Sequence, residues 1–476
     1  MKKTRVCLYG LLIVMMLLIS ACGGQPQQTQ QSAPDQPTQA AAPTEAEAAE
    51  EPAAPAADPT ATQAVAVEEP AAGTDSEISG TVKFAFPGED TELRMRPEII
   101  QMFQEKYPNI KVEEYPVPPD GYDTQLLADI AAGTPPDVFV SGDVQVAAFI
   151  QNKTAEDLTP YFEKDAELKE DVFFANVIDY YRGLDGHVYM MPDTYDVQRI
   201  YYNKALFDAA GLEYPQDGWT LEDFKNAAKA MTQGEGPEKV YGFFADSWWP
   251  IWLPYVWQNG GDLVSEDGTT CVLDQPEAVE ALEWYADFIR QGYSPSPDEM
   301  EGMGMGGWDL FVTGRSAMLQ SGGWEIPSFE EETDFEWGMV TLPRGKQPAT
   351  VLHLTNYVMA ANSENKEAAW VFMKFLASPE VYTLEATQYG WGVPPRKDVA
   401  EAIQAQTPEG TSEMNLLNVT IGSQSAEYGR LPTKILNFVE FRDDGIYPGL
   451  EKLWSGELSA ADAAKQVCSI QPEAFK

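Results

Sequence analysis

Basic residues are scarce in this chain. Lys and Arg number 31 against 75 Asp and Glu, for a formal charge of −44 at pH 7. That balance excludes a nucleic-acid partner and opposes docking on anionic membrane surfaces, because both demand clustered cations. The acids are spread along the whole chain, a pattern that serves solubility rather than one site. Histidine is scarcer still, with 2 in 476 residues, and cysteine occurs 4 times. Almost no material remains for a zinc centre of Cys/His type, so no metal or cofactor is expected. The nucleophile elbow GxSxG, the zinc helix HExxH and the phosphate-binding P-loop are all missing, which removes three common routes to catalysis.

What is present starts with MKKTRVCLYGLLIVMMLLISACGG. A basic start, an apolar run from Leu8 to Ile19 and small residues before Cys22 read as a secretory signal over 1–21; the run is too short for an ordinary membrane span. Residues 22–76 follow, rich in Gln, Pro, Ala, Thr and acids, without aromatics or basic residues. Such a segment cannot bury enough surface to offset its ordering entropy and reads as a disordered, self-repelling tether. Cys7 leaves with the signal. Cys271 and Cys468 remain in an exported chain, either paired across about 200 residues or as separate buried thiols.

From about residue 77 the texture changes. GTVKFAF (80–86), NIKVEEYPV (109–117) and PPDVFVSGD (135–143) read as strands. Between them lie helical patterns over 91–106, with apolar residues at Leu93, Ile99, Ile100 and Phe103, and over 121–133. This alternation predicts an α/β fold with a parallel sheet covered on both faces. Further on, Thr220 with Asp223 forms a capping box, Asp274 caps a helix that Gly292 ends, and Ser378-Pro379 splits two helices. His187 falls at an Asp-Gly turn and reads as a surface residue. About 400 residues exceed one comfortable core, so two lobes are expected.

Several stretches then line up in order: PPDVFVSGD, DGHVYMMP, YYNKALFDAAGL, WTLEDF, QNGG, DQPEAVEALEWYADF, SAMLQSGGW, ANSENKEAAWVFMKFLASPE and GVPPRKD. Together they resemble the extracellular solute-binding proteins of bacterial ABC importers, in the branch of maltodextrin- and multiple-sugar-binding proteins. The ISAC tetrad ending at Cys22 resembles a lipobox, which implies acylation of Cys22 and an extracytoplasmic, lipid-anchored or periplasmic protein. The resemblance implies a two-lobed periplasmic-binding-protein fold, hinged, with a cleft between lobes. One lobe would be 78–196 with 355–396, the other 197–354 with 397–476. It also implies a carbohydrate ligand, ABC-importer permease subunits as partners, and a monomer.

A sugar offers C–H faces to aromatic rings and hydroxyls to directional polar groups. Four tryptophans crowd DSWWPIWLPYVWQNGG (246–261). The resemblance places two of Trp248, Trp249 and Trp252 on the cleft and leaves Trp257 as core. It places Trp324, after the glycines of SGGW, against the sugar. Trp308 and Trp391 are further candidates, with loop anchoring as the alternative. Glu89, Asp90 and Asp143 follow strand ends, where ligands sit in open α/β sheets; helix capping or a solvated loop is the alternative for each. Asp196 and Tyr195 lie at the first crossing between lobes, Asn356 and His353 at the second. Arg430 and Tyr428 lie in a late loop.

A secreted glycoside hydrolase is the opposing reading. It needs two carboxyls flanking one bond, and a sequence with 75 acids does not single out such a pair. A binder without enzymatic activity is expected. A polyamine, a polyol-phosphate or a peptide is the alternative ligand.

Overall fold

The computed structural model describes residues 74–432 and 438–470. The signal segment, Cys22 and the tether up to residue 73 lie outside them. Thr74–Glu77 form a short 3-10 turn, and the Asp75 carboxylate pairs with Lys374.

Nine strands occur among the described residues: β1 (Gly80–Pro87), β2 (Ile110–Val117), β3 (Val138–Gly142), β4 (Met190–Val197), β5 (Arg199–Asn203), β6 (Met318–Ser321), β7 (Trp337–Thr341), β8 (Thr350–Met359) and β9 (Gly429–Arg430). They form two sheets. The larger runs β2-β1-β3-β8-β4, with β9 beside β8; the smaller runs β6-β5-β7. β2, β1 and β3 are parallel, as strand–helix alternation predicts, but β8 is antiparallel to both β3 and β4. The expectation of a wholly parallel sheet is therefore corrected. β8 enters from the far side, after the chain has built the smaller sheet, and so runs in reverse.

Local signals explain most elements. Helix α1 (Asp90–Lys106) buries Met95, Ile99, Ile100 and Phe103 at helical spacing, while Leu93 points to solvent instead of the core. Thr220 and Asp223 do form a reciprocal capping box. Helix α2 (Trp249–Gln258) is buried along its entire length. The N-cap position of helix α3 (Pro276–Arg290) is Gln275, without a side-chain capping bond, rather than Asp274, whose carboxylate accepts the Gln275 side-chain amide at 2.9 Å. Helices α4 (Lys366–Leu376) and α5 (Pro379–Gln388) divide at Ser378, whose hydroxyl accepts the Val381 N–H at 3.3 Å. Helix α6 (Glu413–Ser425) packs on both β4 and β7.

The larger sheet is tied to its helices by a buried cluster. The Arg96 guanidinium on α1 donates to Asp193 at 2.9 Å, Glu385 on α5 at 2.9 Å and Tyr357 on β8 at 2.7 Å, with Glu92 at 3.5 Å. A bulge between Pro192 and Thr194 takes Asp193 out of the ladder, the kind of break that re-aims a side chain. Three carboxylates around one cation cannot all be ionised away from water without a large penalty. Accordingly, burial pushes Glu92 up to about 8 and Glu385 well above the carboxylate range.

Helix α7 (Tyr447–Trp454) and helix α8 (Ala460–Ser469) pack on α3, and Cys468 on α8 forms a disulfide with Cys271 across 197 residues, with Cα atoms 5.3 Å apart. Of the two readings open for these cysteines, pairing is the one observed.

Two outcomes follow for stability. Cys271→Ser removes the cross-link and is expected to cost about 5 kcal/mol by the chain-entropy argument for so long a loop. The urea midpoint should fall, and reducing agent should bring the wild type to the same midpoint. Glu92 holds its proton more tightly folded than unfolded. Its contribution is complete below the ordinary carboxylate value and is lost as pH rises toward 8. Glu92→Gln should flatten the decline of melting temperature between about pH 5 and 8; an unchanged slope would refute the assignment.

Candidate ligand-binding site

Trp324 owes its position to two glycines. A Cβ on Gly322 would lie 2.0 Å from the Trp324 ring, and one on Gly323 would lie 2.5 Å from Asn418 and 2.7 Å from Asp196. The indole therefore folds over a bare backbone at the end of β6. Its N–H donates to Glu325 at 3.1 Å, and the Ser321 hydroxyl donates to the same carboxylate oxygen at 2.8 Å. Those bonds set the ring's tilt.

Trp248 stands just outside α2, at its N-cap, with its backbone N–H donated to Asp246 at 2.8 Å. Of the 12 tryptophans, the two that are exposed are Trp324 at 42% and Trp248 at 37%. They face each other, with ring centres 6.3 Å apart at 68°. His353 on β8 joins both: it stacks on Trp248 at 5.5 Å and 29°, and meets Trp324 edge-on at 4.9 Å and 83°. Burial pulls the His353 pKa down to about 3, and the charge of Arg199 adds to the shift, so the ring is neutral. This adjacent pair of exposed large flat rings is the candidate binding site.

Asp196 sits beneath this pair. It is 6% exposed, forms an ion pair with Arg199, and accepts N–H bonds from Gly323 and Val197, each at 2.7 Å. Arg199 in turn bonds Asn418 on α6. Burial raises the Asp196 carboxyl against the pull of Arg199. Both oxygens are thus engaged within the protein, and the expectation that Asp196 reaches a ligand is replaced by a structural role at the crossing.

Other expected residues separate clearly. Trp249 and Trp252 are buried in the core of the smaller-sheet half, Trp249 against Phe438 at 5.4 Å and Trp252 with its N–H on the Ser247 carbonyl at 3.2 Å. A shared helical face is no cleft face when α2 is buried all round, so of the first three tryptophans Trp248 alone is at the surface. Trp257 is core, its N–H on Asp262 at 2.8 Å, with Arg430 stacked 4.5 Å above its ring. Tyr195 is fully buried, paired with Val393 and edge-on to Phe174, and cannot stack on solute. Asn356 is also fully buried, its amide 3.5 Å from the Gly142 carbonyl.

Asp143 lies at the end of β3, close to the second crossing. Its carboxylate reaches the Leu354 N–H at 3.5 Å, and burial pushes its pKa up to about 6. Glu89 and Asp90 are exposed at the start of α1. Trp308 is half-buried and donates to Ser328 at 3.4 Å, anchoring its loop; Trp391 is half-buried with its ring 5.7 Å from the Arg96 guanidinium. His187 is at the surface turn as expected, 2.6 Å from Asp157. Glu325 and Gln198 were not singled out from the sequence. Adjacency to Trp324 was the available signal for Glu325; no local signal marked Gln198, which sits among polar neighbours Asp196 and Arg199.

A family model described as bacterial extracellular solute-binding protein matches residues 98–413. The chain belongs to that family. A putative binding protein of Brucella abortus is 28% identical over 322 residues, which is 64% of this chain and 73% of that one. A maltotriose-binding protein of Pyrococcus abyssi is 25% identical over 62% of this chain and 64% of its own length. Among solved structures, an ABC substrate-binding protein of Listeria monocytogenes in complex with cycloalternan superimposes with a TM-score of 0.72 at 26% identity, covering 83% of this chain and 99% of that one. The solute-binding protein therefore has the two-lobed α/β fold of these relatives and works outside the cytoplasm.

The glycines before Trp324 give a direct check. Gly323→Ala forces a methyl group against both Asn418 and Asp196 and should cost about 1–3 kcal/mol, as overpacking does. Thermal unfolding at neutral pH measures it; a variant as stable as the wild type would show that the crossing has room to spare.

Proposed function

We propose that this solute-binding protein captures an extracellular sugar or short oligosaccharide between its lobes and delivers it to the permease of an ABC importer. The observation that carries this reading is the exposed pair Trp248 and Trp324, braced by the neutral His353. Sugar C–H faces pack on such rings, while Glu325, bonded to the Trp324 N–H, stands beside them as a hydroxyl acceptor. The sugar-binding relatives support the same ligand class.

The lobes are assigned as 78–196 with 355–396 and 197–354 with 397–476, and the first crossing falls at Gln198. Ligand contacts on both lobes favour the closed form. Acylated Cys22 and the tether would hold a monomer near its permease and raise its effective concentration. The protein is read as a binder rather than a hydrolase, in line with the solute-binding family to which it belongs.

An anionic solute such as a polyol-phosphate fits less well. Arg199 on β5 and Arg430 on β9 are both engaged internally, Arg199 by Asp196 and Asn418, and Arg430 by Asp262 at 2.5 Å. A phosphate needs such groups free.

A thermal-shift panel of malto-oligosaccharides, amino sugars, polyamines and glycerol phosphate tests the reading, since a ligand that binds only the folded form raises the melting point. Neutral oligosaccharides should give the largest shift without being hydrolysed. Trp324→Ala should weaken the best of them about tenfold or more, roughly 1.4 kcal/mol, in calorimetric titration. Sugar binding undiminished in that variant, or a shift confined to the phosphate, would sink the proposal.

A further inference from the structure

We infer that His353 is a positioning residue that couples the indole pair to the crossing between the lobes. This inference rests on the capture reading above but is carried by its own geometry.

The chain passes from the larger sheet to the smaller through a single residue, Gln198, which lies between Val197 of β4 and Arg199 of β5. The second crossing strand, β8, grips it with two side chains. The Gln198 N–H donates to the Thr350 hydroxyl at 3.2 Å, and the Thr350 hydroxyl lies 3.3 Å from the Gln198 carbonyl. The Gln198 side-chain nitrogen sits 2.7 Å from His353 Nε2. Because the imidazole is neutral, the amide donates and Nε2 accepts, which places the ring proton on Nδ1. The Gln198 side-chain oxygen is buried and has no partner, so His353 alone fixes that amide.

Two further surfaces of His353 meet the indoles. One ring face lies against Trp248, and Trp324 meets it edge-on. Trp324 has a second tie to the crossing through the Gly323 N–H on Asp196, and Asp196 is the ladder partner of His353. A solute that packs on either indole therefore bears on the ring that holds the residue between the sheets. Hinges are short segments whose backbone angles absorb the motion of lobes, and the rotation at Gln198 is set by this bond. The imidazole is suited to the task because it offers a flat face, an edge and one acceptor at once, without a charge that Arg199 would repel. A phenyl ring supplies the faces without the acceptor; an aliphatic chain at 198 supplies bulk without the donor.

The test separates these parts. Spin labels on Leu127→Cys and Glu336→Cys, both exposed and on opposite sheets' halves, report the interlobe distance by pulsed electron resonance, with and without maltotriose as the probe. His353→Phe keeps the ring and deletes the bond; Gln198→Met, which touches neither indole, deletes it from the other side. Each should broaden the distance distribution of the ligand-free protein and speed maltotriose release about tenfold, a typical coupling between sites. The double variant should be no worse than either single one. Distances unchanged from wild type in both variants, or effects that add in full, would overturn the inference. If the wild type ignores maltotriose, the capture reading loses support, while the ligand-free distances still decide the coupling. Should His353→Phe fail to fold by circular dichroism, Gln198→Met alone decides it by the same distances.

Discussion

The carboxylate of Asp196 lies where the chain leaves one sheet for the other, and much of the site depends on it. A charge this deeply buried is tolerable only with full pairing. Here Arg199, the Gly323 N–H and the Val197 N–H provide it. In meeting that demand the protein fixes three things together: the last residue of β4, the first of β5, and the glycine turn that carries Trp324. The aromatic site is consequently built on the junction rather than on a loop beside it.

The way the scarce cations are used fits the same pattern. Arg96 and Arg199 are both fully buried. Arg96 gathers acids from distant segments inside the larger sheet's half, while Arg199, at its edge, joins the neighbouring Asp196 to the distant Asn418. In a chain with so large an excess of acid, a buried guanidinium has a wide choice of partners and becomes a node where helices and strands converge. The excess at the Arg96 node is relieved by protons, since Glu92 and Glu385 are held as neutral acids by burial. At Asp196 it is relieved by backbone donors. Neither node leaves a free cation beside the indoles, and this is the electrostatic reason the site suits an uncharged, hydroxylated solute.

The tryptophans show how composition and place part company. Within residues 246–261 four indoles share one local sequence context, yet only the one outside the helix is exposed. Its partner, Trp324, comes from the end of a strand in the small sheet, and the ring that unites them, His353, comes from the large sheet. Three segments contribute one side chain each. No segment carries a pattern that marks the contribution of the others.

Much of the local order was legible in the chain itself. Strands at 80–87 and 110–117, the capping box at Thr220 and the break at Ser378-Pro379 arise from interactions among residues a few places apart, so periodicity and turn chemistry reveal them. The order of motifs likewise sufficed for the two-lobed fold and the family. The tertiary structure alone decided that β8 runs antiparallel, that Cys271 meets Cys468, that Trp249, Trp252 and Tyr195 are core, and that Asp196 faces Arg199 rather than solute. Burial and ion pairing of this kind join residues tens to hundreds of positions apart. They depend on which faces the packed sheets and helices turn toward one another, and that is a property of the assembled chain, not of any stretch within it.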